Sequence, residues 1–327
     1  MKAMREVWGD TLVALGKVNP NVVVLDADLA NSTKADKFAK AYPDRFLQMG
    51  IAEQNCVGVA VGLASIGYVP WLSSFAVFFT HRAVDSIRML VAQTRADVKI
   101  GGSYAGVLTG LTGKTHQDVE DLAIMRAMPD MTVLAPADET ECAAAMRWAT
   151  DHQGPVYLRL ARDVCPDVFG PHYQFTPGKT YFLKQGTDVL LVSTGPQSAR
   201  CKEAAQLLDA EDISAAVLHV PSIKPVDVEE LVRACEPFKL VIAVEEHNVH
   251  GGLGALVAEI LSEHSPRLVI RFGINDRWGE SAPNEYLLDL FELSPARLSK
   301  RIRQVLQSTK SESAPRNHIS AGLSSRQ

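Results

Sequence analysis

A carboxylate at the head of an apolar run is the first residue in the chain that could do chemistry. Glu53 lies in Gly50-Ile-Ala-Glu-Gln-Asn55, just before a stretch rich in Ala, Val and Leu. An acid there satisfies the free N–H groups of a helix start and suits the positive end of its dipole. A second segment, Ser74-Phe-Ala-Val-Phe-Phe-Thr-His81, sets Phe75, Phe78 and Phe79 at core-like spacing and ends on a histidine. Read singly, each segment is explained by packing. Other signatures fail on spacing. Gly113-Lys114-Thr115 resembles the end of a phosphate loop, but the position needing the first glycine is Leu108. Gly252-Leu-Gly254 starts a dinucleotide fingerprint whose third glycine position is Val257. His247 and His250 beside Glu245 and Glu246 match no standard zinc spacing, and no Gly-x-Ser-x-Gly occurs.

The elements that must position these residues alternate in type. Amphipathic or apolar helices are expected over 6–18, 52–66, 82–94 and 138–151, with strands at 22–25, 98–100, 132–134 and 156–160. Proline and glycine crowd 163–186, where a linker is expected. A second alternating unit follows: strands at 189–192, 215–220, 240–244 and 268–271, with helices over 197–208, 228–235 and 254–262. Asp227 is the expected N-cap of the 228–235 helix. Ser294-Pro295 opens a last helix to 306. The fold class is therefore α/β, with two domains, each a mainly parallel sheet flanked by helices. Domain one covers 1–165, a linker 166–187, domain two 188–307, and a disordered tail 308–327.

Composition narrows the function classes. The chain has 327 residues, 46% hydrophobic and 22% charged, with net charge -5. That is the balance of a folded globular protein, without the basic excess of a nucleic-acid binder. Its five cysteines are scattered with no Cys-x-x-Cys, as expected of reduced thiols rather than disulfides or a zinc knuckle. The N-terminus lacks a signal-peptide core. The most apolar stretch, 57–72, holds three glycines and a proline, short of the roughly 18 uninterrupted apolar residues of a membrane span. A cytoplasmic protein without membrane or nucleic-acid partners is expected.

Taken together, the two opening segments resemble the pyrimidine-binding domain of thiamine-diphosphate enzymes, and the chain from about 4 to 306 resembles the C-terminal half of a transketolase. The motifs are Asp26-Ala-Asp-Leu29, Gly50-Ile-Ala-Glu-Gln54, Lys114-Thr-His-Gln-Asp118 with Glu120-Asp-Leu122, and Pro129-Asp-Met-Thr-Val-Leu-Ala-Pro-Ala-Asp138. Domain two carries Val244-Glu-Glu-His247, Gly251-Gly-Leu-Gly254 and Gly273-Ile-Asn-Asp-Arg-Trp-Gly-Glu-Ser281. The resemblance implies that Glu53 bonds a pyrimidine ring nitrogen, stabilising the imino tautomer whose nitrogen takes the thiazolium proton. Burial of Glu53 favours a shared proton over a free anion. It further implies that Phe75, Phe78 and His81 line the pyrimidine pocket, His81 standing where transketolases often carry a tyrosine. Asp28 would lie near the thiazolium, and His116 would contact a donor hydroxyl and assist proton movement. Arg5, Ser32 and Arg162 would grip a sugar phosphate, the guanidinium fork suiting it.

Two departures bear on substrate choice. Tyr104 stands where transketolases usually have a histidine, and Thr112 where they have an aspartate. A ketol transfer is therefore expected, with either a branched or modified ketose phosphate or ordinary xylulose 5-phosphate as the alternatives. No Gly-Asp-Gly occurs, the motif that holds diphosphate and Mg2+ in the family's N-terminal domain. The resemblance thus implies a separate N-terminal subunit carrying that motif and binding most of the Mg2+, in an α2β2 assembly. Competing readings are the β subunit of a 2-oxo acid dehydrogenase decarboxylase, a non-catalytic scaffold or regulatory module retaining the fold, and deoxyxylulose phosphate synthesis.

Overall fold

Wholly apolar, β-branched runs become strands buried on both faces, as a parallel sheet covered by helices requires. The computed structural model describes residues 1–312. In the first half, α1 (Met4–Val18), β1 (Val22–Asp26), α2 (Ala30–Thr33), α3 (Asp36–Ala41), β2 (Phe46–Gln48), α4 (Glu53–Ser65) and β3 (Val69–Phe75) come first. They are followed by α5 (Val84–Ser86), β4 (Lys99–Ser103), α6 (Asp121–Ala127), β5 (Thr132–Leu134), α7 (Glu139–Asp151) and β6 (Val156–Leu160). The second half holds β7 (Tyr181–Lys184), β8 (Val189–Ser193), α8 (Gln197–Asp209), β9 (Ala215–His219), β10 (Ser222–Lys224) and α9 (Val228–Cys235). It ends with β11 (Leu240–Asn248), α10 (Leu253–His264), β12 (Leu268–Ile274), α11 (Asn284–Leu290) and α12 (Pro295–Glu312).

The first sheet runs β10-β5-β6-β4-β3-β1-β2 and is parallel except for β10, which pairs antiparallel with β5. The second runs β12-β11-β8-β9-β7, with β7 the antiparallel edge. Packing fixes α1 against the first sheet. Trp8 is fully buried and meets Trp71 of β3 edge-on, ring centroids 5.3 Å apart. It lies over Gly101 of β4, where an added Cβ would stand 2.1 Å from the indole. The Met4 N–H donates to the Asp163 carbonyl at 3.0 Å, tying the start of α1 to the segment that follows β6. Asp138 and Asp227 cap α7 and α9 through their side chains, each accepting an N–H three residues on at 2.9 Å.

Several expectations change. The helix expected over 82–94 is instead two π-helical segments, Phe78–Arg82 and Ile87–Ala92, flanking the short α5. Such wide turns re-aim side chains and are frequent at functional sites. Strand β3 was not anticipated, because Pro70 cannot donate to a sheet ladder. Pairing with β4 begins only at Trp71–Lys99, so the proline stands at the strand's entry. The expected linker contains β7, an edge strand hidden in sequence by nearby proline and glycine. The last helix continues past 306 and 308 to Glu312, because its polar residues still form helical turns. The remainder of the expected disordered tail, 313–327, lies outside the described residues. Among those residues, no helix is long and apolar enough to cross a membrane.

Candidate active site

Side chains from the carboxyl ends of β3, β4 and β6 meet on one side of the first sheet, where parallel α/β sheets hold their ligands. Gly50, with φ +70°, turns the chain from β2 toward α4. Glu53 is then the first residue of α4 and only 4% exposed. Its Oε1 accepts a hydrogen bond from Nη1 of Arg82 at 2.8 Å. Arg82 also lies over the Phe78 ring, 3.9 Å from its centroid.

A column of rings stands beside this pair. Phe75, at the end of β3, stacks on Tyr104 at 4.0 Å and on Phe78 at 5.7 Å. His116 meets both phenylalanines edge-on, at 5.8 and 5.5 Å. Tyr104 takes φ +62°, a left-handed turn just beyond β4. Its hydroxyl accepts from Nη1 of Arg5 at 2.8 Å and donates to the Ser32 carbonyl at 3.1 Å. The Arg162 guanidinium lies 5.5 Å from the same ring. The structure thus gathers Arg5, Ser32 and Arg162 around Tyr104. The Nε atoms of both arginines are buried without a hydrogen-bond partner, and Arg162 also pairs with the Asp163 carboxylate at 3.0 Å.

Other sequence-selected residues lie apart from this column. His81 faces Glu120 at 3.0 Å rather than Glu53; with Asp118 these form a possible three-ligand cluster. Thr112 turns its hydroxyl into its own turn, donating to the Thr109 carbonyl at 3.1 Å. Asp28 is exposed and left-handed, and its N–H donates to Gln48 at 3.1 Å. The preceding Asp26 is buried: its Oδ2 caps α2 through the Leu29 and Ala30 N–H groups, and its Oδ1 has no partner. Burial raises its carboxyl above the usual range. Sequence reading missed Arg82; the available signal was a cation four residues after Phe78, on the same face of a helical turn.

The Glu245-Glu246-His247 run is structural. Glu245 accepts the Leu253 and Gly254 N–H groups at the start of α10. Glu246 accepts the Val107 and Leu108 N–H groups of the first half and pairs with Arg200 at 3.2 Å. No zinc role for these acids is supported by such contacts.

Residues 1–167 match the family pattern described as "Transketolase, pyrimidine binding domain", and residues 178–298 match "Transketolase, C-terminal domain". The chain is 39% identical to a protein of Methanocaldococcus jannaschii described as a transketolase C-terminal section, over 94% of this chain and 97% of that one. It is 35% identical to a 6-deoxy-6-sulfo-D-fructose transketolase subunit of Clostridium sp., over 93% and 94% respectively. A solved split-gene transketolase, described as an inactive β4 tetramer, superimposes with TM-score 0.85 at 43% identity, covering 94% of this chain and 98% of that one.

Proposed function

The chain belongs to the transketolase family as the C-terminal section of a split enzyme, and from that premise we propose that it transfers a two-carbon ketol unit from a modified ketose phosphate to an aldose. Thiamine diphosphate dependence goes with the family. When bound, the cofactor supplies the carbanion chemistry that amino-acid side chains lack. The residues fit its pyrimidine end: a nearly buried carboxylate, Glu53, beside a column of aromatic rings. Glu53 holds a proton with a pyrimidine ring nitrogen, and the Phe75–Phe78 wall supplies stacking. His116 moves a proton at a donor hydroxyl, a reading supported by its edge-on contacts with both rings.

The single observation that carries the substrate reading is the tethering of Tyr104. Its hydroxyl is committed to Arg5 and Ser32, so it braces the phosphate grip instead of offering a ligand to the sugar chain. Thr112 likewise spends its hydroxyl on its own turn. Neither hydroxyl therefore has a hydrogen left to donate to a sugar hydroxyl, which suits a branched or substituted ketose.

The remaining machinery is assigned to a partner. Mg2+ and the diphosphate are bound mainly by an N-terminal subunit carrying Gly-Asp-Gly, with two copies of each chain. Support comes from α4, where Gly58 and Gly62 face open space, and from Ile51, 72% exposed beside Glu53; such apolar exposure is covered in assemblies.

The test is reconstitution with the partner chain and turnover assays on ordinary and modified ketose phosphates. We expect preference for a modified donor; efficient turnover of ordinary pentose phosphates alone would sink the substrate reading. Glu53→Ala is expected to lower kcat by at least about a hundredfold while assembly, read by sedimentation, is unchanged. Retained turnover would remove Glu53 from the mechanism.

A further inference from the structure

We infer that Arg82 is a placeholder in the cofactor pocket: it occupies the carboxylate and the ring face that an aminopyrimidine needs, and must leave both when the site is loaded. The inference rests on the functional reading above. Two independent contacts carry it. Arg82 donates to Glu53 Oε1 at 2.8 Å, and its guanidinium carbon lies over the Phe78 ring, 3.9 Å from the centroid. A planar cation hydrogen-bonded at its edge and stacked on its face uses the same two surfaces as a planar heterocycle.

The arrangement has a physical reason. Glu53 is 4% exposed, whereas the Arg82 side chain is 48% exposed. A buried carboxylate left without a partner is costly, and Arg82 answers that need from the solvent side. Its exposed stem lets it swing out without disturbing the core. The chemistry of the two states also differs. The ion pair uses Glu53 as an anion, while the catalytic bond needs a proton held between the carboxyl and a ring nitrogen. His81, the neighbouring residue, is tied to Glu120 at 3.0 Å and does not compete. The π-helical turn Phe78–Arg82 places Phe78 and Arg82 on the same side.

The experiment uses the chain alone and the complex with its partner subunit. In the complex, thiamine diphosphate with Mg2+ is titrated calorimetrically into the unaltered protein, Arg82→Gln and Arg82→Lys. In the chain alone, thermal midpoints are compared. A placeholder predicts opposite signs: Arg82→Gln binds the cofactor about threefold to tenfold more tightly, because a partly exposed ion pair and a cation–π contact no longer have to be broken, while the free chain melts a few degrees lower. Arg82→Lys, which keeps the charge and loses the planar fork, falls between. Weaker or unchanged binding by Arg82→Gln, with normal binding by the unaltered complex, overturns the placeholder and makes Arg82 a clamp or a bystander. Absence of cofactor binding by the unaltered complex overturns the functional reading itself. If Arg82→Gln fails to fold, the Arg82→Lys affinity decides by the same sign.

Discussion

Asp118 illustrates how a single buried group makes this molecule sensitive to pH. Burial, with the neighbouring Asp121 second, pushes its carboxyl up to about 6 from an ordinary 3.8. Its oxygens accept from the Thr80 hydroxyl at 2.5 Å and the Glu120 N–H at 3.1 Å. Because the folded value is raised, the folded state holds more protons between the two values. Stability is then greatest below the unfolded value and falls as pH rises through about 6. Warming experiments from pH 5 to pH 8 should show the midpoint dropping further in the unaltered chain than in Asp118→Asn. Parallel curves would mean that Asp118 does not titrate there. At this scale the sequence marks Glu53, Phe75 and Phe78 by residue type, because a carboxylate beside apolar residues is chemically conspicuous, and the structure buries Glu53 and stacks the two rings. Residue type does not reveal that a wide turn sets Arg82, rather than His81, against Glu53. Nor does it reveal that Thr112 bonds within its own turn.

Among the elements, β8, the Val22–Leu25 part of β1 and the apolar first part of β11 were legible because a strand buried on both faces leaves a continuous apolar run. Short or edge strands such as β2, β7 and β10 leave no such trace, and their existence depends on a neighbour distant in sequence. The same dependence holds α1 in place. Trp8 fits only because residue 101 has no side chain, and that fit sets Arg5, three residues earlier, against Tyr104. Gly101→Ala should therefore lower stability by about 1–3 kcal/mol or more through overpacking, read as a lower urea midpoint. A variant as stable as the parent would show that α1 can shift freely; a shift of α1 should also loosen the Arg5–Tyr104 contact.

At the scale of the whole molecule, one of three buried apolar clusters spans both sheets. Leu25, Leu72 and Ile100 belong to the same buried cluster as Leu190, Val192 and Val241. Polar links cross the same boundary. Ser198 Oγ lies 2.7 Å from Nδ1 of His219, whose Nε2 lies 2.8 Å from Glu141 of α7. The order is that of a hydrolase triad, but all three side chains are fully buried, so the chain of bonds fastens α8 and β9 to α7. Arg159, paired with Asp121 at 2.9 Å, adds a bond to the Glu246 carbonyl. Calorimetry should accordingly show one unfolding transition for both domains. Ser198→Ala, which strands the His219 Nδ1 position, should lower that transition as a unit, at a cost of about 1–3 kcal/mol. Two separable transitions would refute the shared core.

Strand β10 bears on how the chain is made. The first sheet is completed by residues 222–224, yet its last internal strand, β6, ends at Leu160. A ribosome therefore has to translate roughly sixty further residues before β5 receives its outer neighbour. During that interval the newborn domain presents an unpaired β edge, the kind of template on which nascent chains stick to one another. That β5 is only three residues long shortens the template, so the fold limits during synthesis a hazard that its own strand order creates.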